Sequence, residues 1–188
     1  MKLNLLILAF ALILPSLTVM DAATAAKSDS CAHCHGTDGN STSSAYPSLA
    51  AQTRDYLYRQ MKDFKEGRRK NAMMSPSIGV LSDQDMQDLA EYFSAQSIVR
   101  SKFDADPAKV EQGRKIAQEA QCTACHQAGF KGLNEFPRLS RQKYPYIVKQ
   151  LKDYRDGLRT NDNGVMAPAA KNLSDEHIEA LAHYLASI

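Results

Sequence analysis

Two short segments of the sequence hold the residues best suited to chemistry. They read CAHCH, from Cys31, and CTACH, from Cys122. Two cysteines three positions apart reach the two vinyl groups of one porphyrin, and the histidine directly after them can turn its ring towards the iron. Each segment therefore predicts one covalently attached haem c, giving two haem c groups. The predicted thioether cysteines and proximal iron ligands are Cys31, Cys34, His35, Cys122, Cys125 and His126.

Other sites that use paired cysteines fit the pattern less well. A zinc ribbon needs its two pairs about 15–20 residues apart, whereas Cys34 and Cys122 lie in opposite halves of the chain. A thioredoxin-like redox pair needs a βαβ context, and no segment alternates like a strand. Disulfides, the default in an exported chain, would not explain a histidine after each pair. His33 lies between the cysteines of the first pair and is expected to face solvent.

Both segments belong to a longer internal repeat. YPSLAAQTRDYLYRQMKDFKEGRRKN, from Tyr46, matches FPRLSRQKYPYIVKQLKDYRDGLRTN, from Phe136. Further along, LSDQDMQDLAEYF matches LSDEHIEALAHYL. Two copies in the same order indicate a duplication, because a solenoid needs at least about three repeats to stack. The sequence therefore predicts two tandem domains, 26–100 and 101–188.

The elements that position these residues are predicted to be helices. One helix should lead into each attachment site (107–120 in the second copy), and a second should cover 54–66 and 145–156. A last helix should begin at the N-caps Ser82 and Ser174. Because a loop-rich unit of this size has too little apolar core to be stable alone, a covalent haem would complete it. The predicted fold class is all-α, with two tandem cytochrome c-like domains, each wrapped around one haem.

The sixth iron position is predicted from the repeat. A haem iron can take His, Met, Cys or Tyr, or stay open; the cysteines are used, and the remaining histidines near the end of the chain have no counterpart in the first copy. Met74 and Met166 do recur, each followed by x-Pro and equally far before the LSD sequence, whereas Met73 aligns with Val165. Met74 and Met166 are therefore the predicted axial ligands, with packing against the ring as the alternative. A one-residue shift stays open, because the second copy is longer in this loop.

Other repeated residues are candidates for the surroundings of the haem. A proline carbonyl could accept a hydrogen bond from the ring N–H of the proximal histidine and orient it. Arginines could pair with the haem propionates, and asparagines could bond there too; the alternative for both types is an exposed loop residue. The candidates are Pro47, Pro137, Arg69, Arg159, Asn71 and Asn161.

The N-terminus has the pattern of an export signal. Lys2 is followed by LNLLILAFALILPSLTVM and then by Ala23-Thr24-Ala25, a small-x-small cleavage site. This predicts a signal peptide over 1–25 and a periplasmic location, which fits haem c because it is attached outside the cytoplasm. Cleavage after Ser16 and an uncleaved membrane anchor are alternatives, since the apolar run is just long enough to span a bilayer. The net charge of +2 argues against nucleic acid as a partner.

Taken together, these motifs resemble the diheme cytochrome c4 family. The resemblance rests on the two C-x-x-C-H segments, YP.LA.Q, G.R.N..M and a terminal LSD......YF, and it covers nearly the whole mature chain. It implies two class-I-like cytochrome c domains packed face to face, with the propionate edges of the haems near the interface. It also implies an electron carrier of the periplasm, often at the membrane surface, between a donor complex and a terminal oxidase.

The resemblance leaves two other functions open. One is the cytochrome subunit of a dehydrogenase complex. The other is a diheme enzyme, a peroxidase or a thiosulfate-oxidising cytochrome, which would need an open iron position. A methionine in both copies argues against an enzyme and against a small-molecule substrate.

One feature departs from the family. Its members have a full helix before the first attachment site, but cleavage after Ala25 would leave only AKSDS before Cys31. Either cleavage falls earlier, or the first domain lacks this helix and exposes its haem.

Overall fold

The computed structural model describes residues 22–100 and 102–188, with side chains from Lys27 onwards. Most of the predicted signal peptide, residues 1–21, therefore lies outside the described residues. Within the described ranges the chain forms nine α-helices and no β-strand, which confirms the predicted all-α class. None of these helices combines the length and the apolar character needed to cross a membrane.

The two halves contain the same order of helices. Those of the first half are α1 (Ala22–His35), α2 (Arg54–Lys65), α3 (Met74–Gly79) and α4 (Asp83–Ser94). Those of the second half are α5 (Pro107–Glu119), α6 (Thr123–His126), α7 (Tyr144–Arg155), α8 (Met166–Ala170) and α9 (Asp175–Ser187), with a 3-10 turn over Ala128–Phe130. In each half, the helix before the attachment site packs against the last helix, α1 on α4 and α5 on α9. The boundary predicted between residues 100 and 101 falls in the connection between α4 and α5, and its position stays a prediction.

The segment leading into the attachment site differs between the halves. In the first half α1 continues without a break through Cys31 to His35. In the second half Gln121 adopts a left-handed conformation (φ 52°), which ends α5 and lets the separate helix α6 carry the attachment site. A helix does precede Cys31, and its described part starts at Ala22. Cleavage after Ala25 would remove the first residues of this described part, whereas cleavage after Ser16 would keep all of it.

A glycine allows the close contact between α5 and α9. A Cβ atom on Gly113 would lie 2.1 Å from the carbonyl oxygen of Ala180, so only glycine lets the two backbones approach this far. Around this contact the buried side chains of Ala117, Leu181 and Leu185 form the core of the second half. The close helix pair holds the attachment site against the rest of its domain.

Local capping residues set the ends of the helices. Ser82 caps α4 by accepting a hydrogen bond from the backbone N–H of Asp85, whose own side chain accepts from the N–H of Ser82. Ser174 caps α9 by accepting from the backbone N–H of His177. Both predicted N-caps are confirmed. The capped helices α4 and α9 begin a few residues after the short helices α3 and α8.

His183 has a structural role in the second half. Its Nδ1 accepts a hydrogen bond from the backbone N–H of Asp106 at 3.1 Å, just before α5. Its ring packs against those of Phe103 and Tyr144, with centroids 5.4 and 4.9 Å away. The side chain therefore fastens the connecting segment to α9, which fits its lack of a counterpart in the first half.

Candidate haem sites

Each proximal histidine is held by a proline carbonyl. His35 Nδ1 lies 2.8 Å from the carbonyl oxygen of Pro47, and His126 Nδ1 lies 2.9 Å from that of Pro137. A carbonyl oxygen only accepts, so Nδ1 must carry the proton and Nε2 keeps its lone pair. Both rings are buried. The contact that the sequence predicted for the prolines is present twice, with the tautomer that an iron ligand needs.

The electrostatic surroundings keep these histidines neutral. Burial lowers the pKa of His35 and of His126, and the hydrogen bond to the proline carbonyl opposes this only in part. A neutral imidazole is the form that coordinates a metal. The site therefore presents each iron with a ring already in its ligating state.

The cysteines are positioned for attachment to a porphyrin. All four lie in the described part of the chain, where they are partly buried and no disulfide joins them. Cys31 and Cys34 lie one turn apart on α1, so their side chains point to the same side as that of His35. Burial raises the pKa of the Cys31 and Cys122 thiols. Two thiols and one imidazole thus converge in each half, which suits haem c.

The methionines that repeat in the sequence also occupy equivalent places in the fold. Met74 is the first residue of α3, and Met166 is the first residue of α8. The residues before them, Met73 and Val165, have nearly identical backbone angles (φ −94°, ψ −45° and φ −94°, ψ −51°). This similarity argues against a one-residue shift between the two loops. Axial ligation by Met74 and Met166 stays a prediction.

The two methionine loops are held by different residues. The side-chain oxygen of Asn71 accepts from the backbone N–H groups of Met73 and Met74, both at 3.0 Å. In the second loop Asp162 takes this place, accepting from the N–H of Met166 at 2.5 Å. Asp162 is not among the predicted site residues, because the longer second loop shifts the bonding residue by one position relative to the repeat. An Asn or Asp shortly before each methionine was the available signal.

Asn161, the residue that aligns with Asn71, lies elsewhere. It is buried between the two halves, where its amide donates to Gln60 at 3.0 Å and to Asp63 at 2.6 Å. Its side-chain oxygen accepts from Arg159 Nε at 2.9 Å. The two asparagines therefore have different surroundings, although the repeat pairs them.

Arg159 is buried in the interface between the halves. It donates to Gln150 in its own half at 2.6 Å, and to Gln60 at 2.9 Å and Tyr56 at 3.1 Å in the other. The ring of Tyr154 lies 4.6 Å from its guanidinium carbon. Since Arg159 is only 6% exposed, the alternative of an exposed loop residue is wrong for it.

Arg69 makes the equivalent contacts from the first half to the second. It donates to Gln60 in its own half at 2.8 Å, and to Gln150 at 2.8 Å and Tyr146 at 3.0 Å in the other. The ring of Phe64 lies 4.7 Å from its guanidinium carbon. No ion pair within the described residues includes either arginine. Two guanidinium groups without carboxylate partners, at the face shared by the two halves, are suited to haem propionates.

A pair of glutamines, which the sequence analysis did not single out as site residues, also joins the halves. Gln52 donates through Nε2 to the carbonyl of Arg138 at 3.0 Å and accepts from its N–H at 2.6 Å. Gln142 does the same with Ser48, at 2.9 and 2.8 Å. Both glutamines recur in the repeated sequence, but nothing in it names their partners. These glutamine contacts, like those of Arg69 and Arg159, recur with the halves exchanged, so this part of the interface has the character of an isologous contact within one chain.

Comparison with known proteins places these features in context. The chain matches the family model described as cytochrome c twice, over residues 19–97 and 110–188. It is 41% identical over 175 residues to cytochrome c4 of Pseudomonas aeruginosa, covering 87% of this chain and 86% of that protein. It is 34% identical over 170 residues to a thiosulfate dehydrogenase electron acceptor of Stutzerimonas stutzeri, covering 84% of this chain and 78% of that one. The crystal structure of reduced recombinant cytochrome c4 from Pseudomonas stutzeri superposes with a TM-score of 0.82 at 39% identity, covering 90% of this chain and 100% of that one.

Proposed function

The chain belongs to the cytochrome c4 family of electron-transfer diheme cytochromes, and we propose that it carries electrons between respiratory complexes in the periplasm, towards a terminal oxidase. Its two tandem cytochrome c domains each bind one haem c through a C-x-x-C-H segment. The haem supplies a one-electron couple. The chain supplies the covalent attachment and the axial ligands, and it sets the distance between the two haems.

The observation that carries the proposal is the equivalence of the two methionine loops. Each domain contains a neutral histidine whose Nε2 carries no proton and a methionine at the start of a short helix. The pairs are His35 with Met74 and His126 with Met166. We propose that each pair fills both axial positions of its iron. A closed iron has no place for a substrate, so the protein transfers electrons and is not an enzyme.

The interface supports a role in passing electrons between the two haems. We propose that Arg69 and Arg159 pair with haem propionates, because their guanidinium groups meet at the shared face and lack carboxylate partners. Pro47 and Pro137 hold the proximal rings in one orientation through the Nδ1–H of each histidine. In this proposal the chain fixes both haems relative to each other through these contacts.

A ligand-binding experiment tests whether the irons are closed. The reduced holoprotein is titrated with carbon monoxide under native conditions and followed by visible absorbance. We expect no binding, because methionine occupies the sixth position of both irons. Carbon monoxide binding to native protein would overturn the closed-site proposal and favour a diheme enzyme.

A second experiment tests the direction of electron flow. The reduced holoprotein is mixed with membranes that contain a terminal oxidase, and its reoxidation is followed in the presence and absence of cyanide. We expect reoxidation that cyanide stops. If membranes whose oxidase oxidises other cytochromes c fail to oxidise this protein, the proposed flow of electrons towards a terminal oxidase is overturned.

The similarity to a thiosulfate dehydrogenase electron acceptor favours a second candidate, acceptance of electrons from a dehydrogenase. The oxidised holoprotein is mixed with thiosulfate alone and with thiosulfate plus a purified thiosulfate dehydrogenase. Reduction only in the complete mixture supports the acceptor role. Reduction by thiosulfate alone would indicate that the chain itself is the enzyme, and no reduction in either mixture would remove this candidate.

We propose that the protein is exported with a signal peptide over residues 1–25, or with cleavage after Ser16. The described part of α1 starts at Ala22, so cleavage after Ala25 shortens it before Cys31 and cleavage after Ser16 does not. The intact mass of the mature holoprotein distinguishes the two. Recovery of an uncleaved chain in the membrane fraction would instead indicate an anchor.

A further inference from the structure

The two domains differ at a buried charge in their interface. Ser48 and Arg138 occupy the same place in the repeat, directly after Pro47 and Pro137, and the glutamine of the opposite domain holds the backbone of each. Ser48 contributes a small neutral side chain, whereas Arg138 carries a guanidinium group with the residue only 5% exposed. The duplication therefore conserves the backbone contact but not the charge.

The guanidinium group of Arg138 binds only neutral acceptors. Nε donates to the carbonyl of Ala51 at 3.1 Å and Nη2 to that of Ala50 at 2.9 Å, both in the first domain. Nη1 donates to the carbonyl of Ser140 in its own domain. No ion pair within the described ranges includes Arg138. The charged neighbour that acts on it is Arg141, which has the same sign.

The charge persists at physiological pH in spite of its surroundings. Burial, together with Arg141, lowers the pKa of Arg138 to about 10, which still leaves the group protonated at neutral pH. No carboxylate of the described residues neutralises this buried cation, and buried charges are screened less than surface charges, so its field reaches further than that of a surface cation. The charge of Arg138 therefore acts strongly on other charged groups that lie close to it in the fold.

The position of Arg138 relates it to both proximal histidines. Its backbone follows Pro137, whose carbonyl accepts from His126. Its side chain ends at Ala50 and Ala51, a few residues after the proline that holds His35. The cation thus lies between the segments that orient the two iron ligands. Oxidation of a haem iron adds a positive charge, which a nearby buried cation disfavours.

We propose that Arg138 raises the reduction potentials of the haems between whose binding segments it lies, and that it does so through its charge. Its bonds to the carbonyls of Ala50 and Ala51 also join the two domains, so the effect of the charge must be separated from the effect of these bonds. A substitution that keeps the charge but loses the guanidinium geometry achieves the separation. Lysine meets this requirement, and methionine offers a similar length without charge.

The experiment is a spectroelectrochemical titration of wild type, Arg138→Lys and Arg138→Met holoproteins. The readout is the mean of the two midpoint potentials. We expect Arg138→Met to lower this mean midpoint potential. At a fixed applied potential, the ratio of oxidised to reduced haem should then rise about threefold or more. Arg138→Lys should keep the mean close to that of wild type. If Arg138→Met does not fold, Arg138→Gln, which keeps one donor, replaces it.

Controls separate the charge from a loss of structure. Arg141→Met removes a less buried neighbouring cation and should shift the mean less than Arg138→Met does. Thermal melting and the methionine–iron charge-transfer band show whether each variant keeps its fold and ligands. Equal shifts in Arg138→Lys and Arg138→Met would assign a purely structural role and overturn the proposal. No shift in a folded neutral variant would overturn it as well.

Discussion

Arg69 and Arg159 each donate to the glutamine of the other domain, Arg69 to Gln150 at 2.8 Å and Arg159 to Gln60 at 2.9 Å. Each glutamine also accepts from the arginine of its own domain. One oxygen atom of each glutamine therefore serves both domains. The two domains complete each other's hydrogen bonds, so an isolated half of the chain would leave these arginine and glutamine side chains without some of their partners.

The methionine ligands can be tested one iron at a time. Met74→Ala and Met166→Ala should each remove the methionine–iron charge-transfer band of one haem from the near-infrared absorption of the oxidised protein, because each takes away one sulfur ligand. Met73→Ala is the matched control. Met73 is 54% exposed and precedes α3, so its removal should leave both bands. A band lost in Met73→Ala but kept in Met74→Ala would show that the wrong methionine was assigned.

The glutamine contacts predict a loss of stability when one is removed. Gln52→Ala leaves the buried N–H and carbonyl of Arg138 without their partner, and we expect a cost of about 1–3 kcal/mol in the free energy of unfolding. Urea unfolding of the holoprotein measures this. Gln84→Ala removes an exposed hydrogen bond to Asp88 on α4 and should cost less than about 0.5 kcal/mol. Equal losses in the two variants would contradict the interface role of Gln52.

The contact between α5 and α9 predicts that Gly113 does not tolerate a side chain. In Gly113→Ala the new Cβ would meet the carbonyl of Ala180, and the helices must separate at a cost of about 1–3 kcal/mol. Gly79→Ala is the control, because that helical position has open space around it and alanine favours a helix by about 0.5–1 kcal/mol. Urea unfolding followed by circular dichroism gives both values. A stable Gly113→Ala would show that the two helices do not pack this closely.

Acid should loosen the contact between α1 and α4. Lys27 pairs with Asp85, and this contact, helped by Ser82, lowers the pKa of Asp85 to about 2 from its usual 3.8. Because the folded-state pKa is depressed, the stabilisation is present above about pH 4 and is lost as the pH falls towards about 2. The thermal midpoint of the holoprotein should fall over this range.

Lys27→Met provides the comparison for this effect, since it removes the ion pair but keeps the capping box of Ser82 and Asp85. Its thermal midpoint should fall less between about pH 4 and about pH 2 than that of wild type. Parallel curves for the two proteins would show that the pair contributes nothing to the acid response.

The haem attachment sites, the duplication and the all-α class follow from the sequence alone. The reason is that they depend on short spacings: Cys31, Cys34 and His35 act together within a single helical turn, and the helices begin at local caps such as Ser82. The proline contacts were also predictable, because Pro47 follows His35, the last residue of α1, at a separation of only 12 residues. Recurrence in a second copy favoured Met74 over Met73 and left a one-residue shift open, and the matching backbone angles of Met73 and Val165 argue against that shift.

The interface was decided by the tertiary structure. Gln52, Arg69 and Arg159 repeat visibly in the sequence, but their partners lie in the other half of the chain, and no local pattern encodes such a pairing. The separation of Asn161 from Asn71 arose because the longer second loop moved the bonding role to Asp162. The buried charge of Arg138 likewise depends on which surface covers it. Spacing along the chain specifies chemistry that acts within a turn or a loop, whereas burial and hydrogen bonds between distant segments exist only once the two domains have packed together.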